Sequence, residues 1–430
     1  MTIDIGIDGY NLALPQGTGI ATYARTLCLT IAQQGWQTMG LFEVDVGARP
    51  ALQETLFFDR LERPPAPRKS RLARWRARRP AVPAMREFTP GSVDVRPLAD
   101  RIPSFDRIAT GDKLFQAAFR HFRKTRQMVT LNLDTPPSIM HWTCPLPLRI
   151  AGAHNVYTVH DLVPLRMPYM TLEDKQMHHD LVLACVEAAD HLCSVSEITA
   201  RELIELAPRA ESKLTTTYQT CDIVTKGGSL SRREGSSIVR KLGLNPGHYF
   251  LFYGALEPKK NVARLIEAHA RLDSSTPLVL VTGRSWNSPT ENSILAQMGN
   301  RNSGLIVLDY LPRAMLQSLV MHAKAVTFPS LHEGFGLPVL EAMEMGVPVL
   351  TGNTGGVVEV AGDAALLIDP YDVADIRDGL KRLDEDESLR QMLSAKGPVQ
   401  AARFSPSRYA DTMAKVYRRL LDPTTAGQDT

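Results

Sequence analysis

Short apolar runs alternate along this chain with longer stretches in which apolar positions recur every three or four residues. The first pattern reads as strands buried on both faces and the second as helices laid over them, the mark of parallel sheets. In the first half, strands are expected near 3–7, 38–42, 139–142, 156–159, 192–195 and 214–218. In the second half they are expected near 249–253, 278–281, 305–308, 326–328, 347–350 and 365–368. A first helix follows the turn Gly17-Thr18-Gly19, carries Ile20, Tyr23, Ala24, Leu27 and Ile31 on one face, and ends at Gly35. A later one carries Val262, Leu265, Ile266, Ala270 and Leu272 on one stripe, with Asn261 expected as its cap. Ser196 is expected to cap another, and a last helix near 409–421 follows Pro406.

A polar, glycine-rich stretch around 226–236 separates the halves and reads as a linker. The expected organisation is an α/β domain over 1–225, a second over 226–404, and a closing segment over 405–430. A length of 430 residues suffices for two full cores, and 44% hydrophobic with 22% charged residues is ordinary for a soluble α/β protein. The net charge of +3 gives no general footing for nucleic acid. Five cysteines without a Cys-x-x-Cys pair argue against a disulfide framework or a zinc site and for buried thiols in a reducing compartment. No apolar run is long enough to span a bilayer and no leader pattern opens the chain, so a cytoplasmic protein is expected.

The segment 63–86, inside an insertion over about 60–90, breaks the alternation: nine basic residues, no acid and five prolines. Leu72 and Trp75 stand one helical turn apart within it. A solvated insertion and a short element resting on anionic lipid both fit that composition, and a nucleic-acid contact is a third reading that one short basic insert without interleaved aromatics supports weakly.

Chemistry concentrates in Ser330-Leu331-His332-Glu333-Gly334-Phe335-Gly336-Leu337-Pro338-Val339-Leu340-Glu341. A strand ends at Pro329, a glycine turn follows, and a helix opens at Pro338 and can run to Gly346. A helix start beside a glycine turn offers unpaired N–H groups to an anion, and the two glutamates can accept from hydroxyls. Gly254-Ala255-Leu256-Glu257-Pro258-Lys259-Lys260-Asn261 puts two lysines after the first strand of the second half, where a doubly wound sheet binds ligands. Their position opposes a helix dipole, which a bound anion would offset. Thr158-Val159-His160-Asp161 ends a strand of the first half, and Gly355-Gly356 precedes a helix with Glu359.

Two glutamates with seven residues between them, Gly-Phe-Gly-Leu-Pro included, together with the lysine and histidine segments resemble the retaining family 4 glycosyltransferases. That resemblance implies a GT-B fold, two Rossmann-like domains facing across a cleft, with the last helix crossing back to the first. It implies a nucleotide diphosphate sugar donor and a saccharide acceptor. Lys260, with Lys259 beside it, would hold the diphosphate, and Glu341 the ribose. Glu333 and His160 would meet the transferred sugar, and Asp161 would assist the acceptor. Backbone at Gly17, Gly19, Phe335, Gly336, Leu337, Gly355 and Gly356 would line the donor. Many members have an arginine where this chain has Ala255, which leaves more of the neutralisation to Lys260. No Asp-x-Asp ends a strand as a metal–diphosphate clamp, so no metal is expected; no cofactor is expected either. The residues also resemble bacterial mannosyltransferases of polysaccharide assembly, implying GDP-mannose and a lipid-linked acceptor at the inner membrane face. UDP- or dTDP-sugars, an epimerase or phosphorylase on the same fold, and a silent nucleotide-sugar-binding subunit remain open.

Overall fold

The computed structural model describes residues 3–14, 19–63, 83–91, 93, 98, 101–171, 174–221, 231–282 and 304–422. Gly17, Thr18, most of the basic segment, the linker residues 222–230 and the tail from 423 lie outside the described residues.

Sixteen strands are described: β1 Asp4–Asp8, β2 Gln37–Phe42, β3 Arg86–Phe88, β4 Arg107–Thr110, β5 Val129–Leu131, β6 Ile139–Trp142, β7 Leu148–Ile150, β8 His154–Val159, β9 His191–Ser194, β10 Leu214–Thr216, β11 Phe250–Tyr253, β12 Leu278–Val281, β13 Leu305–Leu308, β14 Ala325–Phe328, β15 Val349–Gly352 and β16 Leu366–Ile368. One eight-stranded sheet runs β10-β9-β8-β6-β1-β2-β4-β3, and a six-stranded sheet runs β13-β12-β11-β14-β15-β16. All their ladders are parallel except β3 on β4. Parallel strands need crossovers, and the helices that provide them cover both faces of each sheet. This is the GT-B architecture.

The twelve expected strands are present with ends shifted by a residue or two; β3, β4, β5 and β7 were not expected. Ser196 caps the helix Glu197–Leu206 by accepting from the Thr199 amide. Asn261 does not cap Val262–Ala270: it sits in the left-handed region at φ 61°, without a side-chain cap bond. Its amide instead donates to the carbonyls of Pro329 (3.0 Å) and Pro370 (2.6 Å), tying two loops together. On that helix Ala268 and His269 are buried, Ala270 is exposed, and Leu272 lies past its end.

The second sheet has one apolar core, in which the Phe252 and Phe328 rings stack at 6.0 Å. The first has a core on each face. One is completed by the last helix, Pro406–Leu421, which buries Tyr409, Met413, Val416 and Tyr417 against Ile5, Ile7 and Leu27. A polar tie fixes that docking, since Nδ1 of buried His141 lies 2.6 Å from the Tyr417 hydroxyl. All five cysteines are free and buried. Among the described residues no helix is long and apolar enough to cross a membrane.

Candidate active site

The two sheets turn C-terminal strand ends toward a shared boundary, where the polar segments converge. From β8 the chain leaves through His160 and Asp161. From β11 it passes Gly254 into a single 3-10 turn, Pro258–Lys260, which ends at left-handed Asn261. From β14 it enters the loop of Glu333, then the helix Leu337–Glu344 with proline in its first turn. The Leu331 amide donates to the Lys259 carbonyl at 2.8 Å, so the lysine turn and the glutamate loop are held as one unit.

Both lysines face carboxylates. Lys260 Nζ lies 2.7 Å from Glu333 Oε1 and 4.8 Å from the centre of the Phe328 ring. Lys259 Nζ reaches across the boundary to Asp161 Oδ2 at 3.2 Å. Burial alone would lower the Lys259 pKa, but Asp161 and Glu333 outweigh it and hold the ammonium above its usual value. Burial likewise raises Asp161, yet Lys259 and the Val163 amide bring its carboxyl below the ordinary range. Both residues are therefore charged at neutral pH, as a close opposite charge requires.

Glu341 is held differently. The Tyr253 hydroxyl at the end of β11 lies 2.8 Å from its Oε2 and 3.0 Å from the Pro338 carbonyl. Burial pushes the Glu341 carboxyl above its ordinary value, with Tyr253 and Arg313 pulling the other way. Among the described residues Oε1 accepts no hydrogen bond, which leaves that oxygen for a ligand. Sequence reasoning missed Tyr253; its only signal was a tyrosine at the end of a buried strand.

The glycines work mainly at close backbone contacts. A Cβ on Gly334 would stand 1.7 Å from the His160 carbonyl oxygen, so the loop of the second sheet touches the first sheet's strand end backbone to backbone. Gly336 adopts φ 105° just before its helix, a conformation suited to glycine. The amide of Gly356 donates to the Glu333 carbonyl at 2.7 Å, and Gly355 sits at φ 73° against the same residue. That second glycine turn therefore braces the Glu333 loop, and the Gly356 amide is already engaged. The Phe335 side chain is buried against Tyr218 and Phe404, so only its backbone can meet a ligand. Leu337 opens the helix, and Gly19 borders open space.

Both ring nitrogens of His160 are occupied: Nε2 lies 2.8 Å from the Thr143 carbonyl and Nδ1 3.1 Å from Gln219 Nε2. Burial moves its pKa down, against smaller opposing effects of Thr143 and Asp161. Two further contacts join the sheets. Glu359 accepts from the Glu197 (2.9 Å) and Ile198 (2.7 Å) amides, stabilising a helix N-terminus in the first half from a carboxylate in the second. His332 Nε2 lies 3.5 Å from Glu202 Oε1. Sequence reasoning noted Glu359 only as a helix residue.

Residues 237–400 match the family described as Glycosyl transferases group 1. O-antigen chain mannosyltransferase B of Escherichia coli is 32% identical over 285 residues, covering 64% of this chain and 72% of that protein. Serotype-specific mannosyltransferase WbdA of the same organism is 31% identical over 297 residues, which cover 67% of this chain but only 36% of that longer protein. The solved structure of Anabaena Alr3699/HepE in complex with UDP and glucose superposes with a TM-score of 0.61 at 15% identity, covering 96% of this chain and 98% of that one. At such identity it shows the shared fold alone. The chain belongs to the group 1 glycosyltransferases and has the GT-B fold. It is a sugar-transferring enzyme whose candidate active site lies between two facing sheets.

Proposed function

We propose that this enzyme moves mannose from GDP-mannose, with retention, to a saccharide hydroxyl in bacterial polysaccharide assembly. The similarity to the E. coli O-antigen mannosyltransferase over 285 residues carries the choice of sugar. The paired lysines and glutamates at the sheet boundary support the chemistry.

In this reading residues 1–225 bind the acceptor and residues 226–404 the donor. The donor's diphosphate displaces Glu333 from Lys260, and the freed carboxylate turns to the sugar's hydroxyls. As the bond from the anomeric carbon to phosphate breaks, its electron pair leaves with the diphosphate, where Lys260 and backbone amides stabilise the growing charge. The acceptor oxygen bonds to the same face of that carbon, and its proton passes to the departing phosphate. Asp161 assists by orienting the acceptor, and Glu341 accepts from the ribose.

A thermal-shift panel of nucleotide sugars tests the donor: a bound donor at a hundred times its Kd adds about 2.7 kcal/mol of stability. GDP-mannose is expected to stabilise the protein and to release GDP on incubation with acceptor. A shift confined to UDP- or dTDP-sugars would replace the mannose assignment. Glu341→Ala is expected to weaken GDP binding by about 1.5–3 kcal/mol for each charge-assisted hydrogen bond lost. The fold should survive, because Tyr253 keeps the Pro338 carbonyl as a partner. Titration calorimetry reads the change, and undiminished affinity would remove Glu341 from the ribose site.

The acceptor in this proposal is lipid-linked, and the basic segment from Arg63 to Arg86 rests on the anionic inner face of the plasma membrane. Arg-to-Glu changes there should cost about 1 kcal/mol of vesicle binding per residue at low salt. Sedimentation with anionic vesicles measures this, and unchanged binding would remove the membrane role.

A further inference from the structure

The two contacts on the His160 ring together select one protonation state. Thr143 offers a carbonyl, which only accepts, so Nε2 carries a proton. Gln219 offers an amide nitrogen, which only donates, so Nδ1 presents a lone pair. Both partners are anchored. The Thr143 amide donates to Asp8, a buried carboxylate at the end of the central strand β1. Gln219 is buried and follows Tyr218, whose backbone is in the left-handed region at φ 54°. Gln219 follows β10, the edge strand of the same sheet whose β8 leads to His160, and the Tyr218 ring packs on Phe335 and Phe404 of the second half, which fixes the turn that aims Gln219 at His160.

We propose that Gln219 is a positioning residue for glycosyl transfer, which holds His160 as the neutral Nε2–H tautomer at the sugar-facing edge of the cleft. The proposal rests on the reading that His160 lies beside the transferred sugar. Its physical reason is charge. The anomeric carbon becomes positive in the transition state, and an imidazolium next to it would raise the barrier. The other charged or titratable groups around the ring are Asp161 beside it, Lys259 from the second sheet, Tyr23 with its ring 4.9 Å away, His141, and Asp8 through Thr143. Burial favours the same neutral state.

The imidazole nitrogens can be read directly in 15N-labelled protein without substrate, with His160→Ala identifying the resonances. The expected spectrum at neutral pH has one protonated nitrogen, Nε2, and one bare nitrogen. Gln219→Leu should mix the tautomers and lower kcat about 10- to 100-fold with donor KM little changed. Gln219→Glu should stabilise the imidazolium and move the acid limb of the kcat profile to higher pH, which loss of packing alone would not do. Two protonated nitrogens in the wild type would overturn the proposal, as would an unaltered tautomer and pH profile in both variants. Full turnover by His160→Ala would instead refute the sugar-contact reading, whatever the spectrum shows.

Discussion

Lys260→Met is expected to lower kcat by about 10²–10³-fold, the usual cost of removing one group that stabilises a charge developing in the transition state. Donor affinity should fall less, since the nucleoside end and the backbone amides remain. The same change is expected to destabilise the fold. Lys260 and Glu333 expose only 16% and 9% of their side chains, and the substitution leaves Glu333 in place without its cation. Removing one partner of a buried pair costs about 3–5 kcal/mol, and the open edge of this site places the loss toward the lower figure. Glu333→Gln keeps an oxygen for the lysine and should cost much less stability. The double variant separates the two effects, because neutralising Glu333 as well removes the stranded charge. It should recover most of the stability that Lys260→Met loses, and none of its turnover. Urea titration and nucleotide release with acceptor present measure the pair. Undiminished kcat in Lys260→Met would end the role of that lysine at the leaving group.

What could be read from the chain followed from how buried parallel strands are written. Phe250–Tyr253, Leu278–Val281 and Ala325–Phe328 are covered on both faces, so each is an apolar run, interrupted only by Thr327 in the third, with turn residues nearby. β3, β5 and β7 are three residues long and β4 four, with arginines or a threonine among them, too little sequence for a period to show. The helix Leu114–Thr125 went unread although Leu114, Phe115, Ala118 and Phe122 line one face. Its strong basic character hid that stripe. The Glu333–Glu341 segment was legible because its glycines and proline have local backbone reasons. The partners of its side chains were not. Tyr253 precedes Glu341 by 88 positions, and Lys260 precedes Glu333 by 73. Asn261 shows the limit from the other side. Asparagine before a helix ordinarily caps it, yet here two distant carbonyls bind its amide and the backbone turns left-handed.

Gly334→Ala should separate folding from closure. The residue has no positive φ, so alanine meets no backbone strain there, and the obstruction is the His160 carbonyl, 1.7 Å from the new methyl carbon. That carbonyl belongs to the other sheet and is fixed by its strand end, with Thr199 Oγ1 donating to it at 3.2 Å. Neither partner is a flexible side-chain tip, so relief requires the sheets to move apart. The Lys259–Asp161 contact would stretch as they part, since it spans the same edge, whereas the Gln219–His160 contact lies within the first half and would hold. Far-UV circular dichroism should be unchanged, small-angle scattering should show a larger radius, and kcat/KM should fall by at least about 10²-fold, which is about 2.7 kcal/mol of transition-state stabilisation. Gly356→Ala makes the contrast. Its methyl carbon would stand 2.0 Å from the Gly334 carbonyl oxygen, backbone of the same half, against 2.9 Å from the side-chain hydroxyl of Ser196 in the other, and it would break the brace beneath Glu333. It should lower the stability of the second half itself. Wild-type turnover in Gly334→Ala would mean that the gap between the sheets during catalysis is wider than the one described here, and that Lys259 and Asp161 do not act as a pair.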